Sequence, residues 1–316
     1  MPHLPAWGQC SALAMAAPAH PAAVLELQGL RVRYPGSTSN TLDGLNLRLN
    51  AGERLALVGP SGCGKSTVAR AVLQLLPQGS RCQGSLRLNG QDPRGLRRSE
   101  LRRLRGEAVG LVFQDPMTRL NPLMTIGEHL ADTLSEHRPA WQQAQIRERA
   151  QSLLQRVGIS DERYGSYPHE FSGGMRQRLA IALAMALRPA LVIADEPTTS
   201  LDVAVAGQVM QELCELCQEA GSALLLISHD LAMAGRWCDQ IAVLDQGRLV
   251  EQAAATRLLT RPQSPLAQRL VGAARAREGG LTPAPSNAAP LLELEELRCW
   301  HPLPGLPWQA HWYRAV

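Results

Sequence analysis

Apolar residues fall along this chain in two kinds of run. Short, nearly continuous stretches at Arg54–Val58, Ala108–Phe113, Leu191–Ala194 and Ala223–Ser228 have the length of buried strands. Between them lie helical stretches such as Ser66–Leu76 and Val203–Ala220. This alternation predicts an α/β domain around a mainly parallel sheet. From Gln114 to Ser172 the strand pattern disappears and helix-compatible sequence, notably Trp141–Val157, takes over, which predicts a helical insertion. Ile241–Asp245 and Arg248–Glu251 read as two short strands about a tight Gln246-Gly247 turn near the end of the domain.

The pattern starts near residue 23 and fades near residue 272, which sets the expected domain as 23–272 with the helical insertion at about 115–188. Residues 1–22 hold four prolines and no Lys or Arg, so they read as a loose extension and not as a secretory signal. Residues 273–290 are rich in Ala, Gly, Pro and Ser, the composition of a linker. In the tail, 291–316, six of eleven aligned positions repeat the start of the domain: Leu292, Glu293, Leu294, Leu297, Arg298 and Pro302 match Leu25, Glu26, Leu27, Leu30, Arg31 and Pro35. The expectation is a tail resembling the first strand of a second, missing domain, loosely docked or disordered; the alternative is a C-terminal extension whose similarity is accidental.

Composition narrows the function classes. The longest strongly apolar stretch, Leu179–Leu187, is nine residues, far short of the roughly 20 that cross a bilayer. Seven scattered cysteines do not form a disulfide framework, and Cys214/Cys217 sits inside a helical stretch with no second pair nearby. The run Arg94, Arg97, Arg98, Arg102, Arg103 and Arg105 has no interleaved aromatic for base stacking, which points to a solvated helical face and not to nucleic acid. The sharpest fact is that the chain has 31 arginines and one lysine, Lys65. A lone lysine marks a site where a compact ammonium is wanted and a planar guanidinium would not serve.

That lysine lies in Gly59-Pro60-Ser61-Gly62-Cys63-Gly64-Lys65-Ser66-Thr67, which fits G-x-x-x-x-G-K-[ST] between a strand and a helical stretch. Such a loop turns backbone amides toward phosphate oxygens at a helix N-terminus, with Lys65 reaching the outer phosphates and Ser66 positioned for Mg2+. Cys63, at the mouth of that helix and near Lys65, is expected to favour its thiolate. Downstream, Asp195 and Glu196 close a buried strand, one suited to the Mg2+ shell and the other to polarising water. Neighbouring strand residues point to opposite sides, so the chain must bend there, and Pro197 suits a bend. Ser172-Gly173-Gly174 opens a helix 23 residues before Asp195 and makes a second anion cradle.

These motifs resemble the ATP-binding subunits of ABC transporters, with Phe171-Ser-Gly-Gly-Met175 as the signature. Met175 departs from the Gln common in the wider family. The runs Val112–Gly127, Tyr167–Gln177 and Ala194–Asp202 are similar to the oligopeptide, dipeptide and nickel importers, which share that Met. The resemblance implies a phosphate-loop nucleotide-binding fold with a helical signature subdomain and an N-terminal antiparallel β portion. It implies ATP and Mg2+ as cofactors, and His229 as the switch histidine at the γ-phosphate. Gln114 would touch Mg2+ and the attacking water, Asp202 would link the two active sites, and Tyr34 would stack on adenine. The implied partners are a second ATPase subunit, two transmembrane permease subunits and, indirectly, an extracytoplasmic solute-binding protein. The implied place is the cytoplasmic face of the cell membrane. A soluble ABC-type ATPase uncoupled from transport is the competing expectation.

Overall fold

In the computed structural model, residues 23–116, 119–278, 300–302 and 312–314 are described. The expected extension at 1–22 and most of the expected linker and tail lie outside them. The chain divides into two units, residues 1–275 and 276–316.

The first unit opens with an antiparallel hairpin, β1 (Ala23–Arg33) and β2 (Leu42–Asn50), whose alternating apolar residues face inward. β3 (Arg54–Val58) then runs into the phosphate-loop segment and α1 (Lys65–Val72). β4 (Arg81–Leu88) returns to pair antiparallel with β1, completing a three-stranded sheet in the order β2-β1-β4. After α2 (Arg98–Arg103) and β5 (Val109–Val112) comes the helical region: α3 (Ile126–His137), α4 (Gln143–Arg156) and α5 (Gly173–Met185). β6 (Leu191–Asp195), α6 (Val203–Ala220), β7 (Ala223–Ser228), α7 (Leu231–Trp237), β8 (Gln240–Asp245) and β9 (Arg248–Ala254) follow. The second sheet has the order β5-β6-β7-β3-β8-β9, with β9 alone antiparallel. α8 (Ala255–Thr260) and α9 (Pro265–Glu278) close the sequence of helices.

Strand periodicity divides the core in two. Ala56, Val58, Val192, Ala194, Leu224 and Leu226 pack with the helical region on one face of the larger sheet. Leu55, Leu57, Leu191, Ile193, Leu225 and Ile227 pack with α1 and the antiparallel sheet on the other. Successive residues of one strand thus serve both cores, which is why β3, β6 and β7 are apolar almost throughout.

Two helix ends differ from the sequence reading. α1 stops at Val72 instead of reaching Leu76, because Gln74 takes a left-handed φ of 53° and Arg105 donates to the carbonyls of Leu73 and Gln74 at 2.9 and 2.8 Å. α9 continues to Glu278, past the compositional shift at 273, since Ala273, Ala274 and Arg275 are strong helix formers. The arginine run carries only a six-residue helix, and most of its charges are paired: Arg94 with Asp92, Arg97 with Glu100, Arg102 with Glu136 and Arg103 with Glu107.

In the second unit, β10 (Trp300–Pro302) pairs antiparallel with β11 (Trp312–Arg314). The matching segment Leu292–Leu297 lies outside the described residues.

Candidate functional site

The parallel strands β3, β6 and β7 end side by side, so the residues that follow them meet at one edge of the sheet. Gly59 follows β3, Glu196 follows β6 and His229 follows β7.

The loop after β3 is shaped by close approach. A Cβ on Gly59 would lie 2.2 Å from the carbonyl oxygen of Leu244, and one on Gly64, at φ 108°, would lie 2.8 Å from that of Thr41. The β8–β9 turn buttresses the loop from below: Gly247 donates its amide to Cys63 O at 2.9 Å and accepts from Asp43 N at 2.9 Å. Among the described residues, no hydrogen bond uses the amides of Gly62, Gly64 or Ser66, whereas the Lys65 amide bonds the Cys63 thiol. Three free amides at a helix N-terminus form an anion cradle. The amides of Cys63 and Thr67 are engaged within the loop, bonding Pro60 O and Gly64 O, and Ser61 is exposed. Lys65 is 6% exposed and donates from Nζ to the carbonyls of Gly59 (2.7 Å) and Pro60 (3.0 Å).

The expected Cys63 thiolate is corrected. Its side chain is buried in the core beneath the antiparallel sheet, and burial pushes the thiol above its ordinary value more than Lys65 lowers it. The ammonium of Lys65 is directed to loop carbonyls.

Two carboxylates reach the edge with different surroundings. Asp195 accepts from Ser66 Oγ at 3.1 Å. Burial raises its carboxyl above the ordinary range against the Ser66 bond, and the neighbouring charge of Glu196 raises it further. Glu196 bends the chain itself. It takes a left-handed φ of 47°, unusual for a non-glycine residue, while its amide still bonds Ile227 O at 2.9 Å. The bend therefore lies one residue before Pro197. Gln114 Nε2 and Thr199 Oγ1 each donate to Glu196 Oε2 at 3.1 Å, and His229 Nδ1 lies 3.3 Å from Oε1.

Tyr34 places its hydroxyl 3.1 Å from Thr67 Oγ1, and Arg70, one turn along α1, donates to it at 3.5 Å. Ser172 caps α5, its Oγ accepting from Met175 N at 3.4 Å. A Cβ on Gly174 would lie 2.6 Å from Val205, in the first turn of α6, whose N-cap Asp202 accepts from Val205 N at 3.0 Å. No described hydrogen bond or ion pair joins Ser172, Gly173, Gly174 or Asp202 to the phosphate-loop segment or to Glu196. The structure thus gathers Lys65, Ser66, Gln114, Asp195, Glu196 and His229, and leaves Ser172 and Gly173 facing solvent.

Two residues were missed by sequence reasoning. Thr199, three positions after Glu196, holds its carboxylate, and a hydroxyl at that spacing in a Pro-Thr-Thr-Ser turn was a legible sign. Arg70 lowers Asp195 and contacts Tyr34, which only the packing of α1 reveals.

Residues 42–199 match the family model described as ABC transporter. The chain belongs to the ABC transporter ATP-binding family. It is 40% identical over 277 residues to the oligopeptide transport ATP-binding protein OppD of Haemophilus influenzae, covering 86% of each chain. It is 41% identical over 248 residues to the probable D,D-dipeptide transport ATP-binding protein DdpD of Escherichia coli K12, covering 77% of this chain and 75% of that one. The dimeric post-hydrolysis ATP-binding cassette MJ0796, bound to ADP and Pi, matches with a TM-score of 0.65 and 28% identity over 73% of this chain and 98% of its own. As an ABC ATPase the chain binds and hydrolyses ATP and serves as an energy-supplying subunit of transport. Among the described residues no helix is long and apolar enough to cross a membrane.

Proposed function

We propose that this ABC ATPase drives the uptake of peptides. The substrate class is supported by the relatives, which are named for oligopeptide and D,D-dipeptide transport. The convergence of Gln114, Thr199 and His229 on Glu196, beside the Ser66–Asp195 pair, carries the mechanistic reading.

The free amides of Gly62, Gly64 and Ser66 would hold the phosphates, in a loop built from Gly59 to Thr67 whose glycines leave room for no Cβ at 59 or 64. Lys65 exchanges its bonds to Gly59 and Pro60 for phosphate oxygens. Tyr34 offers its ring to adenine. Glu196, held from three sides, takes the proton of the attacking water, while Gln114 orients that water and His229 meets the γ-phosphate. Ser66, Asp195 and Gln114 present hard oxygen donors of the kind Mg2+ prefers. The burial-raised Asp195 is a carboxylate that gains most from a bound cation. Magnesium held there would neutralise charge on the phosphates.

Ser172, Gly173, Gly174 and Asp202 make no described contact with this chain's own nucleotide residues, which favours their serving ATP bound to a second ATPase subunit. Permeation itself falls to two transmembrane permease subunits, with the ATPase lying peripherally on the cytoplasmic face of the membrane. A solute-binding protein outside would act on it indirectly.

Reconstitution with its permeases and solute-binding protein in proteoliposomes tests the reading. Short peptides should stimulate ATP hydrolysis and accumulate in the ATP-dependent direction, and Lys65→Arg should abolish both. Hydrolysis stimulated by nickel, and unmoved by peptides, would overturn the assignment of cargo.

A further inference from the structure

Beyond the nucleotide site, the C-terminal ends of α3 and α5 and one side of α4 border an open cavity of about 320 Å3. Its walls are Arg138, Trp141, Arg149, Ala186, Leu187 and Arg188. The nucleotide residues follow the C-terminal ends of β3, β6 and β7, whereas Ala186–Arg188 precede β6. The cavity therefore lies toward the other end of that strand, roughly 15 Å away at the rise of an extended chain.

Three guanidinium groups at one opening repel one another unless something neutralises them. Arg138 is paired: its Nη1 donates to Glu107 Oε1 at 2.6 Å, a carboxylate that it shares with Arg103. Arg149 is not, since its described bond is to a neutral acceptor, the carbonyl of Ala186 at 3.2 Å. Arg188 is exposed, with no described side-chain partner, and its backbone is held at a left-handed φ of 51° that directs the chain out of α5 toward β6. Arg156, seven residues along α4 from Arg149, is already paired with Glu219. Burial lowers the Arg149 guanidinium, and the charges of Arg188 and Arg156 lower it further. The cavity floor, Ala186 and Leu187 with Trp141 beside them, is apolar, so an anion held there would feel the two unneutralised charges at reduced screening.

We propose that this cavity is a second anion site of the domain, in which Arg149 and Arg188 hold a phosphate-bearing ligand. Two forks match a phosphate dianion in charge and in bidentate geometry, and the volume suits a small phosphate compound or a lipid headgroup.

The test uses the full chain with its nucleotide site filled by Mg2+ and a non-hydrolysable ATP analogue, so that inorganic phosphate cannot act through Lys65. Phosphate should raise the melting temperature above a chloride control of equal ionic strength, and Arg149→Gln or Arg188→Gln should weaken its apparent affinity about tenfold. Should Arg149→Gln fail to fold, Arg188→Gln decides, because its side chain is exposed and has no described partner. The proposal is overturned if phosphate does no more than chloride, or if Arg188→Gln binds it as tightly as the native chain. Vesicles separate the sources. Arg188-dependent pelleting with phosphatidic acid, absent with phosphatidylcholine, assigns a headgroup, and phosphate binding without pelleting assigns a free phosphate compound.

Discussion

Replacing Glu196 by Gln isolates the proposed proton acceptor from the scaffold around it. The side chain is one-fifth exposed and receives bonds from Gln114 and Thr199 on Oε2, with His229 Nδ1 3.3 Å from Oε1. A glutamine of the same length keeps an oxygen for the two donors and turns its amide toward the histidine, so the pocket is preserved. The left-handed backbone at φ 47° strains Glu and Gln alike, and unfolding stability should change by less than about 1 kcal/mol. What is lost is the proposed general base, worth roughly 100- to 10,000-fold in rate, or about 3 to 5 kcal/mol of barrier. Phosphate release should fall by that factor, while binding of a fluorescent ATP analogue stays within about threefold of native. Turnover within roughly threefold of native, in a folded protein that still binds ATP, would refute the assignment of Glu196 as base.

Asp195→Asn should raise the melting temperature of the nucleotide-free protein at neutral pH while abolishing hydrolysis. The folded carboxyl titrates above its unfolded value, so its ionised form is a cost near neutrality, and the mutant's advantage should vanish as pH falls through the raised pKa. A melting difference independent of pH would contradict this. Asp239 behaves oppositely: burial raises it, but the bonds from Arg54 Nη2 (2.7 Å) and the Arg54 amide (3.0 Å) overcome that and lower it. Asp239→Asn should therefore cost about 1 kcal/mol above pH 4, a figure held down by solvent exposure, with the loss shrinking in acid as measured by urea unfolding. Gly110→Ala places a Cβ 2.3 Å from the carbonyl oxygen of Ala184, forcing β5 and α5 apart, and should destabilise by about 1–3 kcal/mol in the same assay.

Much of this protein was written in the order of its residues. The lone lysine, the glycines around it and the strand-helix alternation placed the phosphate loop, because local backbone chemistry and period-two burial depend on near neighbours. The strands Arg54–Val58 and Ala223–Ser228 and the helix Val203–Ala220 are as the sequence pattern bounds them. Only the tertiary structure decided what distant segments do to one another. Pro197 announced a bend after Asp195, but that it falls on Glu196 in a left-handed conformation, held by a bond to β7, only the packed sheet decided. Cys63 sits beside a lysine in sequence, yet the core of another sheet sets its protonation. The arginine run looked uniform until acids from other segments, Glu136 and Glu107 among them, were folded against it. Arg149 and Arg188, 39 positions apart and unremarkable in sequence, share one cavity because α4 packs on the end of α5. Charge balance is a sum over space, and a sequence gives only its terms.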